Sequence, residues 1–326
     1  MKAIIISEFG GPEVLKMQEM ETPVITEKQV LIRVIATSVN FADVQTRQGL
    51  YHAGGKPPLI PGLDVSGVIE KTGASVTKFA VGQRVIAFPK CGSYAEYVAV
   101  DEDLAYILPD TVDYITAAAS PVVAVTAYKL LADVGRLQPG ESVLIHAASG
   151  GVGTTAIQLA KILGAGLVIG TVGSAAKIPA ALEASADQVI LIDEDFATEV
   201  NRLTDGRGVD LILDSIAGTV TSRSLSCLAM YGRLVIFGSA SGEAGKIETT
   251  ELHASCRSVL GFSLGTTRNH RPELLKEAAE KVLTYLSDGS LKIKVGSTFN
   301  LTQAAQAHAL MESRQQTGKI VLLVNQ

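Results

Sequence analysis

The amino-acid sequence contains one turn whose small residues have the spacing that phosphate binding requires. Residues 147–156 read AASGGVGTTA, with an apolar stretch before them and apolar residues at helical spacing after them. Gly151 allows a tight turn, Gly153 lets the backbone approach a pyrophosphate, and Ala156 lets the following helix pack closely on a sheet. The free N–H groups and the dipole at the start of that helix favour a bound pyrophosphate. The predicted contacts in this turn are Gly150, Gly151, Val152 and Gly153.

The surroundings of the turn indicate which ligand it binds. The same spacing occurs in turns that only join a strand to a helix, but a strand before it and strand–helix units after it favour a dinucleotide. An NAD site usually has Asp or Glu about 20 residues further on. Here residues 170–177 read GTVGSAAK and contain no carboxylate. Next to Gly173, Ser174 can donate a hydrogen bond and Lys177 can supply a positive charge, so the sequence predicts NADPH over NADH. Alternatively, Lys177 is a solvated helix residue.

These motifs lie in a chain whose pattern changes near residue 122. Before it, alternating β-branched segments separated by Gly and Pro predict strands, with a short helix between Asn40 and Gly49. After it, short apolar strands alternate with amphipathic helices, which indicates a parallel sheet covered on both faces. The predicted strands are 2–7, 29–39, 64–71, 83–88, 93–100, 141–148, 166–172, 188–192, 209–214 and 233–238, and the predicted helices of the second part are 122–135, 152–163 and 175–184.

The last part of the chain returns to a mixed pattern. It predicts strands at 259–264 and 319–324 and helices at 272–288 and 302–314. The simplest organisation is a discontinuous β-rich domain of residues 1–122 and 262–326, with a dinucleotide-binding domain of residues 123–261 inserted into it. The predicted fold class is α/β, and the inserted domain is a doubly wound parallel sheet of the Rossmann type.

Composition excludes several classes of protein. Of 326 residues, 47% are hydrophobic and 19% are charged, which is enough to bury a large core and rules out a disordered chain. The net charge of −5 gives no basic footprint for nucleic acid. No apolar run reaches the roughly 20 residues of a membrane helix, and residues 1–8 read as a strand, not a secretory signal. The three separated cysteines form no disulfide framework, which predicts a cytoplasmic protein.

Several motifs in combination resemble one enzyme family. They are NFAD at 40–43, RQGLY at 47–51, PGLDVSG at 61–67, the turn at 147–153, GTVGSAAK at 170–177 and GRLVIFG at 232–238. Together they resemble the quinone oxidoreductase (zeta-crystallin-like) branch of the zinc-independent medium-chain dehydrogenases and reductases. The resemblance implies a GroES-like catalytic domain, a Rossmann domain, a homodimer, and NADPH-dependent reduction of a quinone or a related conjugated carbonyl.

The resemblance also implies roles for individual residues. Asn40, Asp43 and Tyr51 line the active site, and Phe262 and Ser263 lie near the nicotinamide. The residues that contact the rest of the cofactor are Thr126, Gly151, Val152, Gly173, Ser174, Lys177, Gly238 and Ser239. Ile192 stands where many relatives have a tyrosine beside the adenosine, which weakens the inference of NADPH preference. Gln45 stands where some relatives have a tyrosine, so no catalytic role is carried over to it.

The sequence predicts that this protein uses no zinc. Zinc-dependent relatives hold the metal with a Cys and a His–Glu pair, where this chain has Asn40 and the stretch Gly62-Leu63-Asp64. A catalytic zinc needs three protein ligands, and Asp64 is the only obvious candidate. Without a Lewis acid, the chemistry favours a substrate that is already electrophilic, such as a quinone. The Tyr51 hydroxyl and the Asn40 amide are the predicted donors to the oxygen that becomes negative.

Each of these side chains also has a structural interpretation. Tyr51 could pack on Pro57 and Pro58, and Asn40 could cap the helix that follows it. Asp43 could orient this loop or pair with Arg47, which is favoured over general acid catalysis. Cys91 has no evident basic partner and is interpreted as inert.

Alternative functions stay open. The nearest is an NADPH-dependent reductase of enones, enals or enoyl thioesters, for which Arg268, His270 and Arg271 could form a cationic patch; an ordinary solvated loop is favoured for these three residues. A different class is a non-catalytic NADPH-binding sensor or structural protein. Dimerisation is expected to join Rossmann sheets along the strand at 233–238.

Overall fold

The computed structural model describes residues 1–324, which form fifteen strands and eleven α-helices. The strands are β1 Lys2–Ile6, β2 Leu15–Glu19, β3 Gln29–Val39, β4 Val65–Thr72, β5 Arg84–Ala87, β6 Tyr97–Asp101, β7 Ala105–Ile107, β8 Ser142–Ile145, β9 Leu167–Val172, β10 Gln188–Leu191, β11 Val209–Asp214, β12 Leu228–Ile236, β13 Ser258–Gly261, β14 Val295–Asn300 and β15 Lys319–Leu323. The helices are α1 Phe41–Arg47, α2 Tyr114–Ala119, α3 Pro121–Tyr128, α4 Gly151–Ile162, α5 Ile178–Glu183, α6 Phe196–Leu203, α7 Thr219–Leu225, α8 Thr249–Ser255, α9 Leu264–His270, α10 Lys276–Ser287 and α11 Ala304–Glu312.

The chain forms two compact units. The first consists of Met1–Val125 and Leu264–Gln326, and the second of Thr126–Ser263. The domain boundaries predicted from the sequence, 122/123 and 261/262, each lie two or three residues before the boundaries in the structure, 125/126 and 263/264. The helical stretch predicted at 122–135 is present as α3 and a following π-helical turn, Lys129–Val134.

The first unit is built on a mixed sheet of order β14-β15-β3-β4-β5-β7, and β6 also pairs with β3. The long strand β3 pairs antiparallel with β15, β4 and β6. The sheet therefore joins an early strand to the late strand β15, which makes this unit discontinuous in sequence.

The second unit is a parallel sheet of order β10-β9-β8-β11-β12-β13. Counted within the unit, this order is 3-2-1-4-5-6, the doubly wound arrangement in which ligands bind at the carboxyl ends of the strands. Its core contains Leu144, Ile169, Ile212 and Leu234, all fully buried. The predicted Rossmann architecture is therefore confirmed.

Several predicted elements differ in the structure. The strand predicted at 93–100 begins only at Tyr97, because the N–H groups of Ser93 and Tyr94 donate to loop carbonyls of Gly62 and Pro61 instead of a strand ladder. The strand predicted at 259–264 ends at Gly261, and after Phe262 and Ser263 the chain forms α9 from Leu264. The sequence of α9, LGTTRNH, is poor in strong helix formers, which explains why its pattern did not predict a helix.

The proposed dimer edge was wrong. The strand at 233–238 belongs to β12, which is paired on one side with β11 and on the other with β13. A strand with both neighbours in place has no free ladder to offer a second chain. The strands at the ends of the sheet order are β10 and β13.

Among residues 1–324, no helix combines the length and the apolar character that crossing a lipid bilayer requires.

Candidate active site

The first unit contains a pocket formed around the start of α1 and the loops after it. Two of the three predicted catalytic residues, Tyr51 and Asp43, line it, whereas Asn40 does not. The other lining residues are Thr46, Ala53, Gly54, Gly55, Pro61, Gly62, Leu63, Lys90, Cys91 and Asn269. Residues of two separate motifs, RQGLY at 47–51 and PGLDVSG at 61–67, thus contribute to one cavity.

Tyr51 is held against helix α9. A Cβ atom built on Gly265 would lie 2.3 Å from the Tyr51 hydroxyl oxygen, so only glycine leaves room for that hydroxyl. The Tyr51 ring also contacts the His52 ring edge-on, with 4.9 Å between centroids. Burial raises the pKa of Tyr51, and the nearby Arg268 guanidinium opposes that effect. The hydroxyl therefore keeps its proton at neutral pH and can donate a hydrogen bond.

Asp43 is a buried carboxylic acid that titrates near neutrality. Its Oδ2 accepts the backbone N–H of Asn40 at 2.8 Å, while Oδ1 is buried and has no hydrogen-bond partner within the described chain. Burial raises the pKa of Asp43 to about 7, helped by the charge of Asp64 and opposed by the Asn40 N–H and by Lys319. Asp43 thus orients the start of α1, as expected, and can also exchange a proton.

Of the two structural alternatives for Asp43, the pairing with Arg47 is not formed. Arg47 Nη2 lies 2.5 Å from Glu312 of α11, and its Nε donates to the Gly10 carbonyl at 3.0 Å. Asp43 and Arg47 are four positions apart on α1, but the Asp43 carboxylate accepts the backbone N–H of Asn40, and the Arg47 guanidinium binds Glu312 instead. Sequence spacing alone did not reveal the long-range partner.

Asn40 is fixed by a buried ion pair. Lys319 Nζ donates to Asn40 Oδ1 at 2.6 Å and lies 3.3 Å from Asp64 Oδ2, and Asn40 Nδ2 donates to the same Asp64 oxygen at 2.7 Å. The side chains of Lys319 and Asp64 are 3% and 0% exposed, so this charge pair is fully withdrawn from water. Asn40 precedes α1 as expected, but its amide is held by Lys319 and Asp64. Lys319 was not identified from the sequence.

Asp64 has further partners that complete its hydrogen bonding. Its Oδ1 accepts the Val122 N–H at 2.7 Å, and its Oδ2 accepts the Ser38 hydroxyl at 2.5 Å. Each oxygen of the buried Asp64 carboxylate thus has at least one donor, and the Lys319 ammonium group balances its charge. The cluster therefore acts as a rigid support for Asn40.

The position of Arg268 contradicts both interpretations of the sequence, which placed it either in a cationic surface patch or in a solvated loop. It lies in α9 and is 1% exposed, and its Nε and Nη1 atoms have no hydrogen-bond partner anywhere in residues 1–324. Tyr51, Asp43 and Cys91, three residues that line the pocket, are among the groups whose charges act on it. His270 and Arg271, by contrast, are exposed as expected.

Cys91 also has a basic neighbour that the sequence did not reveal. Cys91 is an exposed residue, but partial desolvation of its thiol by the surrounding atoms raises the pKa of that thiol, and Arg268 only partly opposes this. The thiol is therefore not activated as a nucleophile, which agrees with its interpretation as inert.

In the second unit, most of the predicted cofactor residues meet at one edge of the sheet. The turn after β8 leads into α4, the segment after β9 carries Gly173, Ser174 and Lys177, and the ends of β12 and β13 lead to the other predicted residues. Those residues are Gly238, Ser239, Phe262 and Ser263. Because parallel strands end at the same side, these segments share the carboxyl edge where dinucleotides bind. Thr126 lies elsewhere in sequence, on α3.

The glycines of this edge fit a dinucleotide in two different ways. A Cβ on Gly153 would come within 2.4 Å of the Ala147 carbonyl oxygen, so Gly153 allows α4 to pack on the end of β8. This is a different role from the backbone approach predicted for it. A Cβ on Gly173 would meet no atom within 4 Å, and Gly173 and Ser174 are exposed. The space beside β9 is thus open to a ligand, and the N-terminus of the 12-residue α4 faces an anion favourably.

Two buried titratable groups of the second unit are structural. His146 lies between the hydroxyls of Thr171 and Ser224, at 2.8 and 2.9 Å, and burial lowers its pKa to about 4. Asp214 accepts the N–H groups of Ile216 and Ala217 and thereby closes the turn after β11. The other Asp214 oxygen, Oδ2, accepts the Thr221 hydroxyl at 2.7 Å, so both groups are engaged in structural contacts.

Within residues 1–324, no group of three or more His, Cys, Asp or Glu side chains is placed to hold a metal ion.

Two protein families match the chain. The family described as "Alcohol dehydrogenase GroES-like domain" matches residues 26–110, and the family described as "Zinc-binding dehydrogenase" matches residues 151–280. The first match lies within the first unit, and the second match covers most of the second unit. The GroES-like and Rossmann fold classes predicted from the sequence are thus confirmed.

Individual relatives are similar over almost the whole chain. A quinone oxidoreductase from Salmonella typhimurium is 37% identical, covering 97% of this chain and 97% of that protein. A synaptic vesicle membrane protein VAT-1 homolog from Danio rerio is 33% identical, covering 98% of this chain and 69% of that protein.

A solved structure of a quinone oxidoreductase is also similar to this chain over almost its whole length. The crystal structure of Escherichia coli quinone oxidoreductase complexed with NADPH superimposes with a TM-score of 0.92 at 34% identity, covering 99% of this chain and 100% of that one. The chain therefore belongs to the quinone oxidoreductase branch of the medium-chain dehydrogenase/reductase family.

Proposed function

We propose that this oxidoreductase uses NADPH to reduce a quinone, without zinc. The observation that carries the proposal is a single pocket lined both by Tyr51, whose raised pKa keeps its hydroxyl protonated, and by Asp43, whose pKa is about 7. A quinone that accepts a hydride becomes a hydroquinone monoanion, and one proton then completes the hydroquinone. The pocket offers a hydrogen-bond donor for the negative oxygen and a group that can supply the proton.

The cofactor is proposed to bind at the carboxyl edge of the second unit. When bound, NADPH supplies the hydride. The backbone of Gly150, Gly151 and Val152 at the start of α4 would hold the pyrophosphate, and Ser174 and Lys177 the 2′-phosphate. The remaining proposed contacts are Thr126, Gly153, Gly173, Gly238, Ser239, Phe262 and Ser263.

The donor set of the first unit supports a reaction without zinc. Lys319 Nζ already lies 3.3 Å from Asp64 Oδ2 and donates to Asn40 Oδ1. A metal ion bound by Asp64 would compete with this ammonium group, because both require the same carboxylate. Asn40 is accordingly proposed as a positioning residue behind the pocket.

The first experiment is an assay of NADPH oxidation with a simple benzoquinone in the presence of EDTA, with NADH run in parallel. We expect turnover that survives chelation and is faster with NADPH. Turnover that disappears with EDTA and returns with zinc would contradict the metal-free reaction. If only enones or enoyl thioesters are reduced, the substrate class changes to conjugated alkenes, and NADPH binding without any turnover would favour a non-catalytic role.

The cofactor preference can be tested at Lys177. Replacing Lys177 with alanine removes a positive charge beside the proposed 2′-phosphate, so we expect the affinity for NADPH to fall by about 10-fold or more, since a hydrogen bond to a charged group contributes about 1.5–3 kcal/mol. The affinity for NADH should change little. Fluorescence titration with each nucleotide measures both. Equal losses for the two nucleotides would remove Lys177 from phosphate recognition.

The role of Asp43 can be tested by pH. The charged and titratable groups around it are Asp64, Lys319, Arg268, Tyr51 and Tyr94. If its protonated form supplies the proton, kcat should fall as the pH rises through about 7, and Asp43→Asn should lose this pH dependence together with most of the rate.

The same residue makes a separate prediction for stability. The pKa of Asp43 is about 7 in the folded chain and 3.8 is its ordinary value, so the folded state binds the proton more tightly. Its contribution to stability is full below about pH 4 and is lost as the pH rises through about 7. Asp43→Asn does not titrate, and its Tm relative to wild type should therefore be higher at about pH 8.5 than at about pH 4. A difference in Tm that does not vary with pH would contradict the raised pKa.

Two further expectations stay predictions. The homodimer and the cytoplasmic location were inferred from family resemblance and from composition, and size-exclusion chromatography with light scattering would measure the first directly.

A further inference from the structure

The clearest unexplained feature of the first unit is Arg268. Proteins rarely bury a guanidinium group without partners, because desolvation is costly unless hydrogen bonds and an opposite charge offset it. Arg268 is 1% exposed, yet two of its three guanidinium nitrogens have no partner within the part of the chain that the structure describes. No ion pair of Arg268 is found in that part either. Arg47, equally buried on α1, does have its carboxylate, Glu312.

The position of Arg268 relates this unsatisfied cation to the pocket. Arg268 is not itself one of the residues that line the pocket. Tyr51, Asp43 and Cys91, which do line it, are among the groups whose charges act on Arg268, and the next residue in α9, Asn269, lines the pocket too. Gly265, one turn earlier on α9, is the residue that makes room for the Tyr51 hydroxyl. The same short helix thus brings the guanidinium and the Tyr51 hydroxyl to one region.

We propose that Arg268 is a catalytic residue that binds the substrate oxygen on which negative charge develops when the conjugated carbonyl is reduced. This proposal rests on the proposed reductase function and names the group that recognises the carbonyl. The added hydride brings two electrons, and the carbonyl oxygen becomes an oxyanion. Arg268 cannot supply a proton, since arginine stays charged, so it stabilises the oxyanion while Tyr51 donates a hydrogen bond and Asp43 supplies the proton.

Stability and activity should respond to Arg268→Met in opposite directions. A buried arginine that serves the fold would lower Tm when removed. An arginine kept for catalysis leaves an unpaired buried charge in the resting protein, so Arg268→Met should keep or raise Tm while kcat with a neutral benzoquinone falls about 100-fold or more and KM changes little. Arg268→Lys should recover part of kcat, because lysine keeps the charge but loses the planar fork. Arg271→Met, an exposed residue of the same region, is the matched control and should behave as wild type.

A second measurement does not depend on turnover. The protein with NADP⁺ bound is titrated with 4-nitrophenol, which absorbs visible light strongly only as its phenolate, at a pH where both forms are present. Wild type should shift the bound phenol toward the phenolate, Arg268→Met should not, and Arg268→Lys should give an intermediate shift.

The outcomes separate this proposal from the proposed function. Unchanged kcat in Arg268→Met, or a fall in Tm that accompanies the loss of activity in both Arg268 variants, would overturn it. So would a rise in KM confined to a carboxylated quinone, which would identify a site for a permanent anion. If wild type reduces neither quinones nor enones, the proposed function fails, and the phenolate shift alone then decides whether Arg268 prefers a negative oxygen.

Discussion

Replacing Lys319 with methionine is expected to lower the free energy of unfolding by about 3–5 kcal/mol, because it leaves the Asp64 carboxylate buried without its cation. Asp64 is completely buried and Lys319 almost so, and water cannot replace the ammonium group. Asn40 loses the donor to its Oδ1 at the same time. Urea or thermal unfolding of the purified variant measures the change.

A surface pair provides the control for this prediction. Lys90 and Asp101 are 2.9 Å apart, with side chains 51% and 42% exposed, and Lys90→Met should cost at most about 1 kcal/mol. The double variant Asp64→Asn with Lys319→Met should recover part of the loss, since neither charge is then left alone. Similar costs for Lys319→Met and Lys90→Met would show that Asp64 is satisfied without the lysine.

Replacing Gly153 with alanine is expected to affect both folding and cofactor binding. The added methyl would lie 2.4 Å from the Ala147 oxygen and 2.7 Å from the Ala148 Cα, which are backbone atoms that cannot rotate away. Helix α4 must then move from the end of β8, and overpacking of this kind typically costs about 1–3 kcal/mol. The first-turn N–H groups move with the helix, so NADPH affinity should fall sharply. Tm and a fluorescence titration report the two effects.

Gly173→Ala is expected to affect cofactor binding without affecting the stability of the fold. Its methyl would meet no protein atom within 4 Å, and its backbone does not need a positive φ, so Tm should stay at the wild-type value. NADPH affinity should nevertheless fall, because the methyl enters the space proposed for the cofactor. A Gly153→Ala variant with wild-type Tm and affinity, or a Gly173→Ala variant with unchanged affinity, would contradict the respective assignment.

The second unit could be predicted from sequence because its signals are local. An apolar run, a helical spacing or the glycine turn can each be recognised within about a dozen residues. The order of these strand–helix units then determines that the carboxyl ends of the strands share one side of the sheet. The dimer edge failed for the opposite reason, since which strand is outermost depends on the whole sheet. β13, of only four residues, pairs with β12 and covers it.

The active-site region was only partly predictable. Tyr51 and Asp43 were identified through motifs, and both line the pocket. Lys319 and Arg268 lie more than 200 positions after Tyr51 and Asp43 in the sequence. Nothing in the residues adjacent to either one distinguishes a buried cation from a solvated one. One signal existed for Lys319: a carboxylate between apolar residues at Asp64 requires a cation somewhere, but the sequence does not say which.

The pKa of Asp43 illustrates a further limit of prediction from the sequence. The sequence favoured a structural role for Asp43, either orienting its loop or pairing with Arg47, over general acid catalysis. The structure keeps that role and adds a pKa near 7, which arises from burial and from the charge of Asp64. Burial is a property of the folded unit, so no local pattern could have revealed it.

The place of β15 in the sheet has a consequence for the order in which the protein can assemble on the ribosome. All strands of the second unit have been synthesised before β14 and β15 emerge, so that unit can fold while the chain is still growing. The first unit begins earlier but must wait, because β3 lacks its partner β15 and Asp64 lacks the ammonium group of Lys319 until then. A nascent chain stopped before residue 319 would therefore carry a finished dinucleotide-binding fold beside an unfinished sheet, which makes the exposed edge of β3 the natural target for chaperones and proteases.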